Sequence, residues 1–174
     1  MIKILLILFL TLSAIADTFK VDTNNSNIEF SIVKFFFLDI DGVFTRFDGD
    51  ILLDKNNTLI SINGVVDARS ADMGDKDRDE DLRDKGYLDS MLYPNIYFDA
   101  ASIKHKEITA KITIKKISKD VIFKVESLTL DADKLTLHIS STLKREDFML
   151  NGFLSSLTSN DIKLHSKLVA YRKN

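Results

Sequence analysis

From residue 28 to residue 168 the chain keeps returning to one local rule, an apolar residue at every second position. Ile28, Phe30 and Ile32 alternate with Glu29 and Ser31, and Ile96, Phe98 and Ala100 with Tyr97 and Asp99. The same holds for Ile108, Ala110, Ile112 and Ile114, for Val121, Phe123 and Val125, for Leu135, Leu137 and Ile139, and for Ile162, Leu164 and Leu168. A period of two makes strands with one buried and one wet face. The polar stretches 104–107, 117–120 and 131–134 read as hairpin turns. Adding 39–54 and 58–69 gives about eight strands in an antiparallel meander. A meander of this size buries one face and removes its exposed edges by closing into a barrel; a two-sheet sandwich is the alternative.

The first sixteen residues fall outside that pattern. Lys3, the apolar run Ile4 to Leu12 and the small-x-small site Ala14-Ile15-Ala16 predict a cleaved secretory signal peptide. The run is too short for a bilayer, which needs about 20 residues. No cysteine follows it, so no lipoprotein anchor is expected, and the chain offers neither disulfide nor thiol chemistry. The expectation is residues 17–174 as a single domain, exported to the periplasm. A net charge of −2 and no dense basic stripe argue against nucleic acid.

Residues 72–92 break the alternation. Seven acids and four bases crowd 72–85. The pairs Lys76/Glu80, Asp79/Arg83 and Asp81/Lys85 stand four residues apart and predict a short helix that Gly86 ends, with Pro94 turning the chain back into a strand. Asp75, Asp77 and Asp79 have the opening spacing of a calcium loop. Glu80 stands where that loop needs glycine, however, and Gly86 where it needs glutamate. There is no G-x-S-x-G, no H-E-x-x-H and no glycine-rich phosphate loop. His105, His138 and His165 are scattered, so neither a metal site nor a catalytic residue is assigned. Phe35, Phe36, Phe37 and Leu38 exceed what alternation needs; they read as a covered strand end, the apolar mouth of a ligand tunnel or a membrane-touching rim.

These segments together resemble the YceI-like family of bacterial periplasmic proteins. "NSNIEFSI" is similar to its opening strand. "IDGVFTRFDGDILLD" resembles its V-x-G-x-F…F-x-G-x-I…D element through Gly42, Phe44, Phe47, Gly49, Ile51 and Asp54. "RDEDLRDKGYLDSMLYPNIYF" resembles its R-D-x-H-L-R…F-D…Y-P-x-I-x-F block through Arg78, Asp79, Leu82, Arg83, Asp89, Tyr93, Pro94, Ile96 and Phe98. "ITIKKISKDVIF" resembles its L-T-I-x-G-V-T-K-P-V segment, "KREDFML" its R-x-D-F-G-L turn through Arg145, Asp147 and Phe148, and "NDIKLHSKLVA" its closing strand. Three departures stand out: Asp81 replaces the family histidine, Met149 the glycine after Asp-Phe, and Lys116 the glycine of the T-I-x-G segment.

The resemblance implies an all-β fold, an eight-stranded antiparallel lipocalin-like barrel with a helical crossover near 72–92. It implies a non-enzymatic carrier that holds an isoprenoid, quinone-like or other long-chain amphiphile and needs no cofactor beyond such a lipid. The inward phase supplies the cavity candidates Phe30, Ile32, Phe44, Ile62, Phe98, Ile112, Ile114, Phe123, Leu137 and Leu164. Arg78, Asp81 and Arg83 are the rim candidates for a headgroup, with Arg78, Asp79 and Arg83 expected to pin the crossover and Asp81 to cap it in place of the histidine. Transient membrane contact and a homodimer are compatible with this reading. An enzyme acting through the acidic rim, or a filled stress-protective barrel, are the alternatives.

Overall fold

The computed structural model describes residues 16–35, 37–104, 106–152 and 155–173. Residues 1–15 of the expected signal peptide, Phe36 and His105 lie outside the described residues. Eleven strand segments make one sheet: β1 (Asp17–Val21), β2 (Asn27–Lys34), β3 (Leu38–Phe44), β4 (Phe47–Leu53), β5 (Leu59–Asp67), β6 (Ala71–Asp72), β7 (Asn95–Lys104), β8 (Glu107–Ile114), β9 (Ile117–Asp131), β10 (Lys134–Lys144) and β11 (Thr158–Arg172). Among the described residues one α-helix, α1 (Lys76–Arg83), interrupts them.

The eleven segments form eight staves. β1 and β2 run in line along β11, with Val21 opposite Ala170 and Ile28 opposite Ser166. β3 pairs with β2 and β4 with β1, so they too form one bent stave; β5 and β6 form the third. From β7 to β11 each strand pairs antiparallel with the next, and β11 pairs back onto β1, which closes the ring. The barrel is an eight-stranded antiparallel one, as the alternation and the resemblance imply. Closure leaves only the β6 edge near the start of β7, and there the backbone joins through Ala68 N–H donating to the Pro94 carbonyl at 2.8 Å.

Several local expectations are corrected. Stretch 39–54 is not one straight strand but is broken at Thr45 and Arg46, and stretch 58–69 ends in a 3-10 turn, Ala68–Ser70, capped by Asp67. The turn placed at 117–120 lies two residues earlier. Lys115 takes a left-handed conformation (φ 56°) and with Lys116 makes the turn, so 117–120 is already β9. The helix stops at Arg83, before Gly86, because Asp84 is extended (ψ 168°); the Asp81/Lys85 pair therefore never shares a helix. Lys76/Glu80 and Asp79/Arg83 do form, both at 3.9 Å.

Inside, Phe19, Ile51, Leu53, Ile108, Leu135 and Leu137 are fully buried at the end of the barrel opposite the helix. The helix end is built differently. The connection between β2 and β3, the crossover containing α1, the Lys115/Lys116 turn and the segment between β10 and β11 surround a mouth there.

Candidate functional site

The mouth is assembled by backbone and charge. Asp75 caps α1 by accepting from the Arg78 N–H at 3.0 Å, a hydrogen bond that holds its carboxyl below the usual range. Asp79 accepts from the Met73 N–H at 2.7 Å, and Arg83 donates to the Ala71 carbonyl at 2.8 Å, tying α1 to the end of β6. Arg78 reaches only its own cap, Asp75, at 3.5 Å. Pinning of the crossover thus falls to Asp79 and Arg83, not Arg78, and capping falls to Asp75 rather than Asp81.

Across the mouth Arg145 is buried, an unusual place for a guanidinium. It donates to the Leu150 carbonyl at 2.5 Å, to Asn151 Oδ1 at 2.6 Å and to the Ser159 carbonyl at 3.4 Å, so it folds the 145–159 segment around itself. Met149, where the family has glycine, is left-handed at φ 51°. In that conformation a Cβ costs about 1–2 kcal/mol, which glycine would avoid. The Tyr87 ring lies flat across Gly152, where a Cβ would come within 1.9 Å of Cε2, and locks the two loops together. Burial pushes the Tyr87 phenol up; the Arg145 charge opposes this and the Asp81 charge adds to it.

Below this lid lie two chambers. The inner one, about 170 Å³, is lined almost wholly by apolar side chains. Phe30, Phe44, Ile62, Phe98, Ile112, Ile114, Phe123 and Leu164 of the sequence candidates all face it. The outer one, about 100 Å³, is lined by the apolar Ile32, Ile40 and Met73 and by Lys34, Arg78, Asp81, Tyr87, Arg145 and Thr158. Phe30, Leu82, Leu150 and Ile162 border both and form the partition between them. Two candidates lie elsewhere. Leu137 points into the packed end of the barrel, and Arg83 is turned toward Ala71.

The inner chamber exists because side chains are missing from its wall. Gly49 of β4 and Gly64 of β5 are directly paired, and Gly64 is paired in turn with Phe98 of β7. All three belong to the inward phase, so two neighbouring positions contribute no bulk and the Phe98 ring, in edge contact with Phe123 at 5.2 Å, bounds the space. The partition is made the opposite way. Gly42 of β3 pairs with Phe30 of β2, and the Phe30 ring occupies its missing side chain, 2.3 Å from where a Cβ would sit. Phe44 stacks beside it at 5.3 Å. Arg145, Tyr87 and the glycine pair were not named as site residues by sequence reasoning.

A closed eight-stranded antiparallel barrel enclosing an apolar chamber defines the class of lipocalin-like barrels. The family follows from comparison. The YceI-like domain model matches residues 19–170, and the chain belongs to that family. Protein YceI of Salmonella newport is 29% identical over 122 residues, covering 66% of this chain and 64% of the relative's own length, a little under two thirds. BcnA of Burkholderia cenocepacia superposes with a TM-score of 0.79 at 22% identity, covering 86% of this chain and 99% of its own. A polyisoprenoid binding domain from Saccharophagus degradans, implicated in plant cell wall breakdown, gives 0.71 at 15% identity and covers 89% and 98%. The Campylobacter jejuni YCEI protein gives 0.67 at 20% identity, over 78% and 86%.

Proposed function

We propose that this protein is a non-enzymatic carrier that sheathes the apolar tail of an isoprenoid, quinone-like or similar amphiphile, in the periplasm after removal of a leader. The observation that carries this is the adjacency of the two chambers: an apolar interior bordered by a vestibule bearing Arg78, Asp81, Tyr87 and Arg145. That pairing of environments matches a molecule with a long apolar tail and a small polar head. Each buried methylene contributes roughly 0.8 kcal/mol, so such a tail partitions strongly out of water. The polyisoprenoid binding domain of like fold supports the same ligand class. The leader-like first sixteen residues support export.

Size sets a condition on the ligand. A cavity of about 150 Å³ accommodates a benzene ring, so the inner chamber at about 170 Å³ takes only the leading carbons of a tail. A longer chain must also fill the outer chamber, which requires the Phe30 ring to swing off Gly42 and merge the two. Of the acidic rim, Asp75 and Asp79 are engaged in capping and tethering α1, which supports a structural use of those two carboxylates. The test is organic extraction and mass spectrometry of protein purified from its own periplasm. Recovery of a stoichiometric long-chain lipid is expected, and its absence across several growth conditions would overturn the proposal.

A further inference from the structure

The ligand reading leaves one feature unused. Large apolar side chains stand exposed on separate loops of the mouth: Phe37 (83% exposed) and Leu38 beside the β2–β3 turn, Met91 (88%) and Leu92 (65%) after α1, and Met149 (65%) between β10 and β11. Backbone and side-chain hydrogen bonds hold these loops around the same opening. The Phe35 N–H donates to the Leu157 carbonyl at 2.7 Å, and Lys115 Nζ donates to the Met149 carbonyl at 2.9 Å. Lys116 lies over the Tyr93 ring at 5.7 Å. At the opposite end the turns through Lys55, Asn56 and Asn57 and through Ala132 and Asp133 expose no large apolar side chain. Elsewhere Ile60, Tyr97, Ile122 and Tyr171 are exposed singly on strands, at 38–61%, so the most exposed apolar side chains gather on the loops of the mouth.

We infer that the mouth of the barrel docks onto a zwitterionic phospholipid bilayer, with Phe37, Met91, Leu92 and Met149 inserting at the level of the headgroups. This rests on the carrier reading. The tips sit on separate loops around a polar vestibule, whereas a stable protein interface needs a contiguous patch of about 800 Å² per partner with an apolar centre. A fluid bilayer accommodates separate insertions without such complementarity. Charge selects the kind of bilayer. Asp77, Glu80 and Asp84 of the same end repel an anionic surface, while Lys34 and Lys116 stand beside the tips with aliphatic stems that can reach lipid phosphates. Docked this way, the vestibule faces the membrane and a tail passes between bilayer and barrel without crossing water.

The test is flotation of the mature chain with phosphatidylcholine vesicles at low and high salt, beside the variant F37S/M91S/L92S. All three side chains are exposed, so an unchanged melting temperature is expected and certifies the fold. The wild-type protein should float at both salt concentrations, and the variant should bind about tenfold more weakly or less. No flotation of the wild type, equal flotation of the variant, or binding abolished by salt would overturn the inference. So would a dimer that the variant converts to monomer, which would assign the tips to a second copy. Extraction of the same samples separates the two claims: lipid-loaded protein that ignores vesicles overturns docking alone, and lipid-free protein that still floats overturns the carrier reading alone.

Discussion

Gly49 and Gly64 face each other across one rung of the β4–β5 ladder, yet the space beyond them differs, and the difference can be measured. A Cβ on Gly64 would stand 3.4 Å from the Asp48 carbonyl oxygen and 3.8 Å from Phe98 Cβ, ordinary contact distances. A Cβ on Gly49 would stand 2.8 Å from the Asn63 carbonyl oxygen, a backbone atom fixed in the ladder. Gly64→Ala removes the entropic penalty of a strand glycine, about 0.5–1 kcal/mol, and buries a methyl worth roughly 0.8 kcal/mol at most. A net gain of about 1 kcal/mol is expected, which raises Tm by roughly 2–4 °C for a domain of this size. Gly49→Ala should instead lose about 1–3 kcal/mol to overpacking. Gly64→Leu projects four carbons into the inner chamber, roughly half of a space that compares with a benzene-sized cavity, and should strip the protein of extractable lipid while leaving it folded. Urea unfolding of the two alanine variants and lipid extraction from the leucine variant are the assays. If both alanines destabilise alike, the pair is not the open wall of a cavity. If Gly64→Leu keeps its full complement of lipid, the tail does not occupy the inner chamber.

Four other outcomes are expected. Arg83→Ala should cost about 1.5–3 kcal/mol in urea melts because it removes a charged hydrogen bond to the Ala71 carbonyl, whereas Lys76→Ala, on a side chain 87% exposed, should cost roughly 0–0.5 kcal/mol. Met149→Gly should stabilise by about 1 kcal/mol by relieving its left-handed conformation, read as a shift in urea midpoint at constant slope. The Arg69 hydrogen bond holds the Asp67 carboxyl well below the usual range, so its contribution is complete above the unfolded value near 3.9 and is lost as pH falls below it; the advantage of wild type over Asp67→Asn, about 1 kcal/mol at neutral pH, should shrink below about pH 4. Neutral long-chain amphiphiles should outcompete prenyl pyrophosphates of equal tail length, since 72–85 carries an excess of acids and the Arg145 donors are engaged within the protein; tighter pyrophosphate binding that weakens with salt would refute this.

Alternation revealed the staves because a barrel wall asks the same thing of every strand, one face in and one out. It could not reveal depth. Leu137 and Leu164 obey the same phase, yet Leu137 meets the packed end and Leu164 the chamber. The break at Thr45 and Arg46 did leave a trace: Phe44 and Phe47 both turn inward although three residues apart, a slip of phase that a straight strand cannot make. Arg145 was illegible for another reason. A lone arginine reads as surface, and only the carbonyls that fold back upon it make its burial tolerable. The chamber itself was hidden because it is written as two residues with nothing to show, glycines that by pattern alone look like gaps in a strand.

Glycine on the inner face of this barrel does two opposite things, and what decides between them is the neighbour across the ladder. Opposite Gly42 stands Phe30, whose ring falls into the vacant position and stands between the two chambers. Opposite Gly49 stands another glycine, so no ring is available and the space persists. The wall that makes room is a rigid ladder fixed by backbone pairing on both sides. The partition that limits access is a set of side chains, Phe30, Leu82, Leu150 and Ile162, of which Leu82 rides on a helix with no fully buried residue. Capacity and access are thus set by different classes of structure. Substitutions in the glycine pair should change how much of a tail the barrel holds, and substitutions in the partition should change how fast it enters and leaves.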